Sequence, residues 1–141
     1  MKKFEIEIDS EQDFIDIDPD LIKKTLRRIF RGEGVKTANM EISIVDDPTI
    51  HDLNVRYLGH DYATDVLAFD MDSDLDQGHL EGNIIVSAQT ARDRSSEFDF
   101  SPERELLLYI VHGTLHLLGY DDHAKEDAPL MRQKEKEYLP E

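Results

Sequence analysis

Residues 105–118, which read ELLLYIVHGTLHLL, constrain the fold of this 141-residue chain more than any other stretch. Residues 106–111 are apolar without interruption, so a helix formed here is apolar all round at these positions and has to be buried. Ser101 predicts the N-cap of this helix, Pro102 its first position and Gly119 its end. The rest of the chain must therefore supply layers that surround one central helix over residues 102–118.

Alternating strand and helix patterns predict those layers. The predicted strands are residues 4–8, 41–45, 64–71 and 82–87, and the predicted helices are residues 19–31, 48–58, 88–95, 102–118 and 126–138. The polar, acidic residues 72–81 predict a loop, and Asp47 predicts the N-cap of the second helix. This order predicts one α+β domain over residues 1–141, with a small mixed sheet covered by helices and a buried central helix.

Two of the predicted helices have apolar stripes that we expect to face the core. The stripe of the first helix consists of Leu21, Ile22, Leu26, Ile29 and Phe30, and that of the second consists of Ile50, Leu53 and Tyr57.

Composition narrows the function classes. The chain has no cysteine, so disulfides and thiolate ligands are excluded and any metal site must use His, Asp or Glu. Its 16 basic and 32 acidic residues give a net charge of −16, which argues against a generic nucleic-acid binder. No apolar run approaches the roughly 20 residues that span a bilayer, and the start MKKFEIEID alternates like a strand rather than a signal peptide. These features favour a cytoplasmic protein without a membrane segment.

The basic residues are unevenly distributed. Six of the 16 fall in one stretch, namely Lys23, Lys24, Arg27, Arg28, Arg31 and Lys36. The stretch is either a solvated helix face or a local patch that faces phosphates within an acidic surface. In the second case it would form an RNA groove, and binding would weaken steeply with salt.

His112 and His116 lie four residues apart on the predicted central helix, a spacing that places two side chains on one face. Two imidazoles there can bind one metal ion, and the turn at Gly119 returns Asp122 and His123 as sources of a third ligand. Three protein ligands leave a position open for water, as in catalytic zinc sites. The alternative is a pair of core histidines without a metal. Such a pair would have to be hydrogen-bonded, because burying imidazoles without partners costs free energy. The pattern predicts one Zn²⁺ per chain.

The string HGTLHLLGYD at residues 112–121, followed by His123, resembles the signature of the YbeY endoribonucleases, which are bacterial zinc-dependent proteins of rRNA maturation. Leu53-Asn54 with the TDVLAF stretch at residues 64–69 is similar to a central block of that family, and residues 82–84 (GNI) are similar to a strand start. The similarity extends over residues 40–125.

This resemblance implies an α+β domain with a metal in a cleft and a cytoplasmic location. It also implies a single-strand-specific endoribonuclease of 16S rRNA 3′-end maturation and ribosome quality control. The implied partners are rRNA, the small ribosomal subunit, and ribosomal-protein or GTPase partners.

Three positions depart from the family pattern. His123 follows His116 after six residues, where the family has five, so either the turn bulges and His123 binds or Asp122 supplies a carboxylate. We favour His112, His116 and His123. Leu58 stands where many members have an arginine, and Asn83 stands where the family has an aspartate.

Hydrolysis of an RNA phosphodiester also needs a cation that balances the charge developing on the phosphate. Arg56 is the catalytic candidate, and its alternative role is a surface helix arginine. Thr64 and Asp65 could orient ligands or cap a strand. Tyr120 could pack beside the metal, stack a base or belong to the core.

Two other functions compete with the endoribonuclease. The first is a different zinc-dependent hydrolase, such as a peptidase, but Gly113 stands where H-E-x-x-H peptidases carry their catalytic Glu. The second is a non-catalytic, ribosome-associated metal-binding module with a fourth ligand from Asp121, Asp122 or Asp127.

Overall fold

The computed structural model describes residues 3–98, 100–121 and 126–140. In these residues the strands are β1 (Phe4–Ser10), β2 (Thr37–Val45), β3 (Val66–Asp70) and β4 (His79–Ser87). The helices are α1 (Pro19–Gly32), α2 (Asp47–Leu58), α3 (Ala88–Phe98), α4 (Pro102–Leu117) and α5 (Ala128–Tyr138), with a short 3₁₀ turn at Leu75–Gln77. The predicted order of elements is confirmed.

The strands form one mixed sheet in the order β1-β2-β4-β3. β1, β2 and β4 are parallel, and β3 runs antiparallel to β4 at the edge. Helix α1 connects β1 to β2, and α2 lies between β2 and β3 along the chain. The α+β class and the mixed sheet covered by helices are therefore as the sequence predicts.

Helix α4 is the centre of the larger core. Nine of its residues are buried, among them Leu106, Ile110 and Leu115. It packs against the sheet, α1, α3 and α5. The helix lies close to the sheet at Gly113, which has no side chain. A Cβ atom there would lie only 3.1 Å from Cγ2 of Val66. The prediction of a buried central helix is confirmed.

Helix α2 covers the opposite face of the sheet at the β3 end. Ile50 packs there with Val45 and Leu67, whose side chains alternate with those that face α4. The remainder of this face is open and carries the exposed side chains of Glu5, Glu7, Asp9, Asn39 and Glu41. The acidic character of the chain is thus partly concentrated on one face of the sheet.

Several local predictions are wrong. β4 begins at His79, inside the predicted loop, because it pairs with β2 from Thr37 onward. The N-cap of α2 is Asp46 rather than Asp47, since the Asp46 side chain accepts a hydrogen bond from the Thr49 amide at 2.9 Å.

Two predicted core residues are exposed. Leu21 is 37% exposed and Tyr57 is 65% exposed. Leu21 lies in the first turn of α1, and Thr25, one turn later, is buried. Tyr57 lies in the last turn of α2, which extends past the small core on that face.

Candidate metal centre

The structure brings His112 and His116 together on the face of α4 that the spacing predicts. Their Nε2 atoms are 3.0 Å apart, and the ring planes are inclined at 80°. A tetrahedral metal with Zn–N bonds of about 2.0–2.1 Å separates two nitrogens by about 3.3 Å. The observed separation is within a few tenths of an ångström of that value, so the pair fits a shared metal ion.

Glu135 of α5 sets the protonation of His112. Its carboxylate lies 3.2 Å from Nδ1 of His112, and the His112 side chain is only 24% exposed. A carboxylate can only accept, so the hydrogen of a neutral ring must be on Nδ1. The lone pair of His112 is then on Nε2, which faces His116. This carboxylate–histidine arrangement is typical of histidines that bind metals.

The third predicted ligand, His123, and its alternative, Asp122, lie outside the described residues. Within residues 3–98, 100–121 and 126–140, no group of three His, Asp or Glu side chains could hold a metal ion. The turn that leads to His123 is defined up to Asp121. Gly119 has a φ of 103°, and the Tyr120 amide donates to the Leu115 carbonyl at 3.0 Å. This left-handed turn ends α4 as the sequence predicts.

Tyr120 is tied to a buried carboxylate. Its hydroxyl donates to Oε1 of Glu33 at 2.5 Å, and Oε2 of Glu33 accepts from the Tyr138 hydroxyl at 2.5 Å and from Nζ of Lys134 at 3.2 Å. We call these four residues the Glu33 cluster. Tyr120 also packs against the main core. Of its three proposed roles, the structure therefore supports the core tyrosine.

Hydrogen bonds within the Glu33 cluster shift the pKa values of its members. Burial raises the pKa of Glu33, but hydrogen bonds from Tyr120, Tyr138 and Lys134 outweigh burial, so the pKa lies below its usual value of 4.5. The hydrogen bond to Glu33 raises the pKa of Lys134. Burial and then the hydrogen bond to Glu33 raise the pKa of Tyr138 and of Tyr120. At neutral pH the cluster therefore holds one carboxylate, one ammonium group and two neutral phenols.

Arg56 lies on α2, across the sheet from α4. Its side chain is 67% exposed, and its Nε forms an ion pair with Asp52 at 3.1 Å. The neighbouring Tyr57 packs edge-on against Phe69 of the edge strand β3, with ring centroids 5.8 Å apart. The C-terminal end of α2 thus reaches the edge strand, and the helices that carry Arg56 and the histidine pair lie on opposite faces of the sheet.

Thr64, Asp65 and Asn83 have contacts of their own. The Asp65 carboxylate accepts from Arg94 of α3 at 3.0 Å, and the Thr64 hydroxyl is 3.5 Å from Asp65. Asn83 points to the face of the sheet opposite α4, where it lines a shallow cavity of about 360 Å³ with Tyr57.

Part of the basic stretch is used within the fold. Arg28 donates from its two terminal nitrogens to the carbonyls of Tyr138 and Glu137, each at 3.1 Å. These contacts neutralise the C-terminal end of α5. Lys24, Arg31 and Lys36 remain exposed.

The close approach of α4 to the sheet bears on the peptidase alternative. A Cβ at Gly113 would lie 3.1 Å from Val66 and 3.4 Å from Ile84. The glutamate that zinc peptidases carry at this position would press on these side chains and point toward the sheet rather than toward the histidine pair.

Sequence reasoning missed Glu135 and the Glu33 cluster. Glu135 lies among Lys134, Lys136 and Glu137 in a polar helix, where nothing in the sequence distinguishes it from a solvated charge. Glu33 lies 87 residues from Tyr120 along the chain, and only the folded structure brings the two together.

Taken together, the fold and the site define an α+β protein with a paired-histidine centre on a buried helix. The family model described as Endoribonuclease YbeY matches residues 7–141. Curated relatives named Endoribonuclease YbeY include one from Salinibacter ruber, 37% identical over 88% of this chain and 83% of the relative. Another, from Clostridioides difficile, is 39% identical over 94% of this chain and 92% of the relative.

A solved structure agrees. The solution structure of TM1509 from Thermotoga maritima is 30% identical, with a TM-score of 0.69 over 95% of this chain and 86% of that chain. The chain belongs to the Endoribonuclease YbeY family. The family resemblance and the endoribonuclease class predicted from the sequence are confirmed. No helix in the described part of the chain is long and apolar enough to cross a membrane.

Proposed function

We propose that this endoribonuclease cleaves single-stranded RNA with the help of one Zn²⁺ held by His112, His116 and His123. We propose further that its substrate is the 3′ end of 16S rRNA, during maturation and quality control of the small ribosomal subunit. The observation that carries the proposal is the pair of Nε2 atoms 3.0 Å apart on a buried helix. Family membership supports the nuclease activity.

The donor set suits zinc. Neutral imidazole nitrogens are ordinary zinc ligands, and the carboxylate of Glu135 holds His112 in the tautomer that a metal ligand requires. When bound, the metal supplies Lewis acidity toward a phosphodiester oxygen and toward water. The chain itself supplies the orientation of the ligands, a cation for the phosphate and a surface for the RNA strand.

Arg56 is the proposed cation. Its partner Asp52 is 58% exposed, so the ion pair lies in water and is worth little energetically. A phosphate can therefore replace Asp52 as the partner of the guanidinium at small cost. A fixed cation stabilises the charge that develops on the phosphate during cleavage.

Exposed aromatic side chains near the edge strand suit single-stranded RNA. Tyr57 and Tyr62 are 65% and 55% exposed, and the Tyr62 ring stacks on His60. Unpaired bases stack on such rings, whereas the bases of a duplex are covered by their neighbours. We propose that this surface favours an unpaired strand over a duplex.

An RNA-cleavage assay tests the proposal. Wild type is incubated with a single-stranded oligonucleotide and with the same strand in a duplex, before and after a chelator and after zinc is returned. We expect cleavage of the single strand that the chelator abolishes and zinc restores. His116→Ala should be inactive, while His51→Ala, which removes an exposed histidine paired with Asp61, should behave as wild type.

The alternatives give different results. Chelator-sensitive cleavage of casein without cleavage of RNA would favour a peptidase. A tightly held zinc with four protein ligands and no cleavage of either substrate would favour a non-catalytic module of the ribosome. Both contradict the proposal.

We propose that residues 1–141 act as one domain in the cytoplasm, with the small ribosomal subunit as the partner and with ribosomal proteins or a GTPase guiding the chain to it.

A further inference from the structure

We propose that the cavity between α2 and the edge of the sheet binds one unpaired adenine of the RNA, and that Asn83 selects this base. The inference rests on the proposed function, because it takes single-stranded RNA as the ligand. It adds the base that is recognised and the residue that reads it, at a site separate from the histidine pair.

The cavity has a suitable size and apolar walls. Its volume is about 360 Å³, and pockets for small ligands usually have about 300–1,000 Å³. It lies on the face of the sheet that carries α2. The apolar side chains of its walls are Leu53, Tyr57, Phe69, Met71 and Ile85. Such walls suit the flat, uncharged ring of a base rather than the sugar-phosphate backbone.

Tyr57 supplies the stacking surface of the cavity. It is 65% exposed, and its ring meets the Phe69 ring at an angle of 64°, with the ring centroids 5.8 Å apart. Edge-to-face contacts of this kind are favourable and hold a ring in place. One such contact covers at most one face of the tyrosine ring, so a face remains open on which an unpaired base can stack.

Asn83 supplies a polar group beside this ring. It lies opposite Phe69 where β4 pairs with β3, and it lines the same cavity. Within the part of the chain that the structure describes, its side-chain amide makes no hydrogen bond with another side chain or with the backbone. The amide therefore has a donor and an acceptor available to a ligand.

The pairing pattern of an amide favours adenine. Asparagine donates from Nδ2 and accepts at Oδ1, so it matches a base edge on which a donor stands beside an acceptor. Adenine presents this pattern on two edges, as N6 with N7 and as N6 with N1, and asparagine commonly pairs with N6 and N7. The other three bases present it on their Watson–Crick edge but not on their Hoogsteen edge. Both edges of adenine are accessible in a single strand, so adenine is the base that Asn83 pairs with most readily.

The charge around the cavity also favours a base over a phosphate. No lysine or arginine is among the described residues that line it, and the charged residue among them is Asp70. Glu41, which lies opposite Asn83 on β2, adds a second negative charge nearby. Negative charge repels phosphates but not a neutral ring that carries an amino group. The phosphates of the bound strand therefore lie outside the cavity.

The cavity and the histidine helix lie on opposite faces of the same two strands. Gly113 of α4 lies against Val66 and Ile84. Phe69 and Asn83 alternate with these positions and face the cavity. Because β3 is the edge strand, an RNA strand passes around a single β-strand to reach from one face to the other. The recognised adenine therefore lies along the strand from the bond to be cleaved and is not the nucleotide at the metal.

Binding of short RNA homopolymers tests the inference. Fluorescence anisotropy measures the affinity of the full chain for labelled oligoadenylate and for oligouridylate of equal length, with a chelator present so that neither RNA is cleaved. Asn83→Asp replaces the amide by a group that only accepts hydrogen bonds. Asn39→Asp is the matched control, because Asn39 is an exposed asparagine on the same face of the sheet and adds the same charge outside the cavity.

We expect wild type to bind oligoadenylate about tenfold more tightly than oligouridylate. Asn83→Asp should lose most of this preference, and Asn39→Asp should keep it. Tyr57→Ala should weaken the binding of oligoadenylate about tenfold through loss of stacking, whereas Tyr57→Phe, which keeps the ring, should bind it as wild type does. The two Tyr57 variants provide the test if Asn83→Asp does not fold.

Equal affinity of wild type for the two RNAs, or a preference for oligouridylate, would overturn the inference. A preference that persists in Asn83→Asp or disappears equally in Asn39→Asp would also overturn it, as would unchanged binding by Tyr57→Ala if Asn83→Asp does not fold. If wild type cleaves single-stranded RNA in those cases, the proposed function stands and only the adenine pocket falls. A wild type that has the preference but cleaves no RNA would support the pocket and overturn the proposed function. A wild type that binds neither RNA would overturn both.

Discussion

Glu33 and Asp47 each accept hydrogen bonds from two hydroxyl groups at 2.5 Å, but they do so on different sides of the sheet. Asp47 binds Ser87 and Thr90, at the point where β4 passes into α3, and so fastens the start of α2. Glu33 joins α1 to the residues before and after the proposed third ligand.

The difference lies in what each carboxylate fastens. Asp47 joins α2 to the junction of β4 and α3, and its loss should affect stability alone. Glu33 joins α1 to Tyr120 and to α5, which carries Glu135 beside His112, so its loss should reach the histidine pair. A carboxylate that accepts two hydroxyl groups thus supports the fold on one side of the sheet and a candidate site on the other. Variants of the carboxylate on the α2 side should change stability, whereas variants of the one on the α4 side should change zinc binding.

The largest effect is expected on the α4 side. His116→Ala removes one of two nitrogens that are 3.0 Å apart, so zinc binding and RNA cleavage should both be lost. Zinc content after gel filtration and cleavage of a single-stranded RNA measure the two losses. Zinc retained at the wild-type level would show that the pair is a hydrogen-bonded core feature.

Arg56→Gln on the α2 side should separate binding of metal from catalysis. Removal of one group that stabilises charge in a transition state commonly costs about a hundredfold in rate. We expect kcat/KM for RNA to fall by about that factor while zinc content is unchanged, because Arg56 pairs with Asp52 and lies across the sheet from α4. Cleavage at the wild-type rate by Arg56→Gln would show that Arg56 is a surface arginine without a role in catalysis.

Glu135→Gln is expected to have an intermediate effect. The amide can no longer hold the Nδ1 hydrogen of His112 as a carboxylate does, and zinc affinity should fall about tenfold. Chelator competition measures the change, with Asp47→Asn as the variant that should keep full affinity. Equal zinc affinities in Glu135→Gln and Asp47→Asn would show that Glu135 does not support the metal site.

The smallest effect concerns pH. The pKa of Glu33 is lowered by its contacts with Tyr120, Tyr138 and Lys134, which outweigh burial, so its stabilising contribution is present above its ordinary pKa of 4.5 and is lost as pH falls through the lower folded-state value. Tyr120 and Tyr138 have raised pKa values, so their contribution is present below their ordinary value of 10.0.

Metal-free wild type should therefore exceed Glu33→Gln in unfolding free energy by about 1 kcal/mol between these limits, and the gap should close on acidification below pH 4.5. Urea unfolding across this range measures the difference. A gap that persists at the acid end would mean that the charge of Glu33 is unimportant.

The elements were predictable where local signals are strong. The apolar stretch of α4, with Ser101, Pro102 and Gly119 at its ends, has no alternative to a buried helix, and the spacing of His112 and His116 follows from it. The start of β4 was not predictable. His79 follows a polar segment, and its strand conformation comes from pairing with Thr37, which is remote in sequence.

Only the histidine pair on one helix of the candidate site was predictable. The contacts of Glu135 with His112 and of Glu33 with Tyr120 join residues 23 and 87 positions apart, and neither has a local pattern. Tyr57 was misplaced for a related reason. Its apolar spacing on α2 is correct, but the core on that side of the sheet is too small to cover the last turn.

The zinc content of purified wild type, His112→Ala, His123→Ala and Asp122→Ala is the first measurement to make. We expect about one zinc per chain in wild type and in Asp122→Ala and none in the two histidine variants. Zinc kept in His123→Ala and lost in Asp122→Ala would transfer the third-ligand role to the carboxylate. A wild-type protein without zinc, even after zinc is supplied, would show that the chain has no such site.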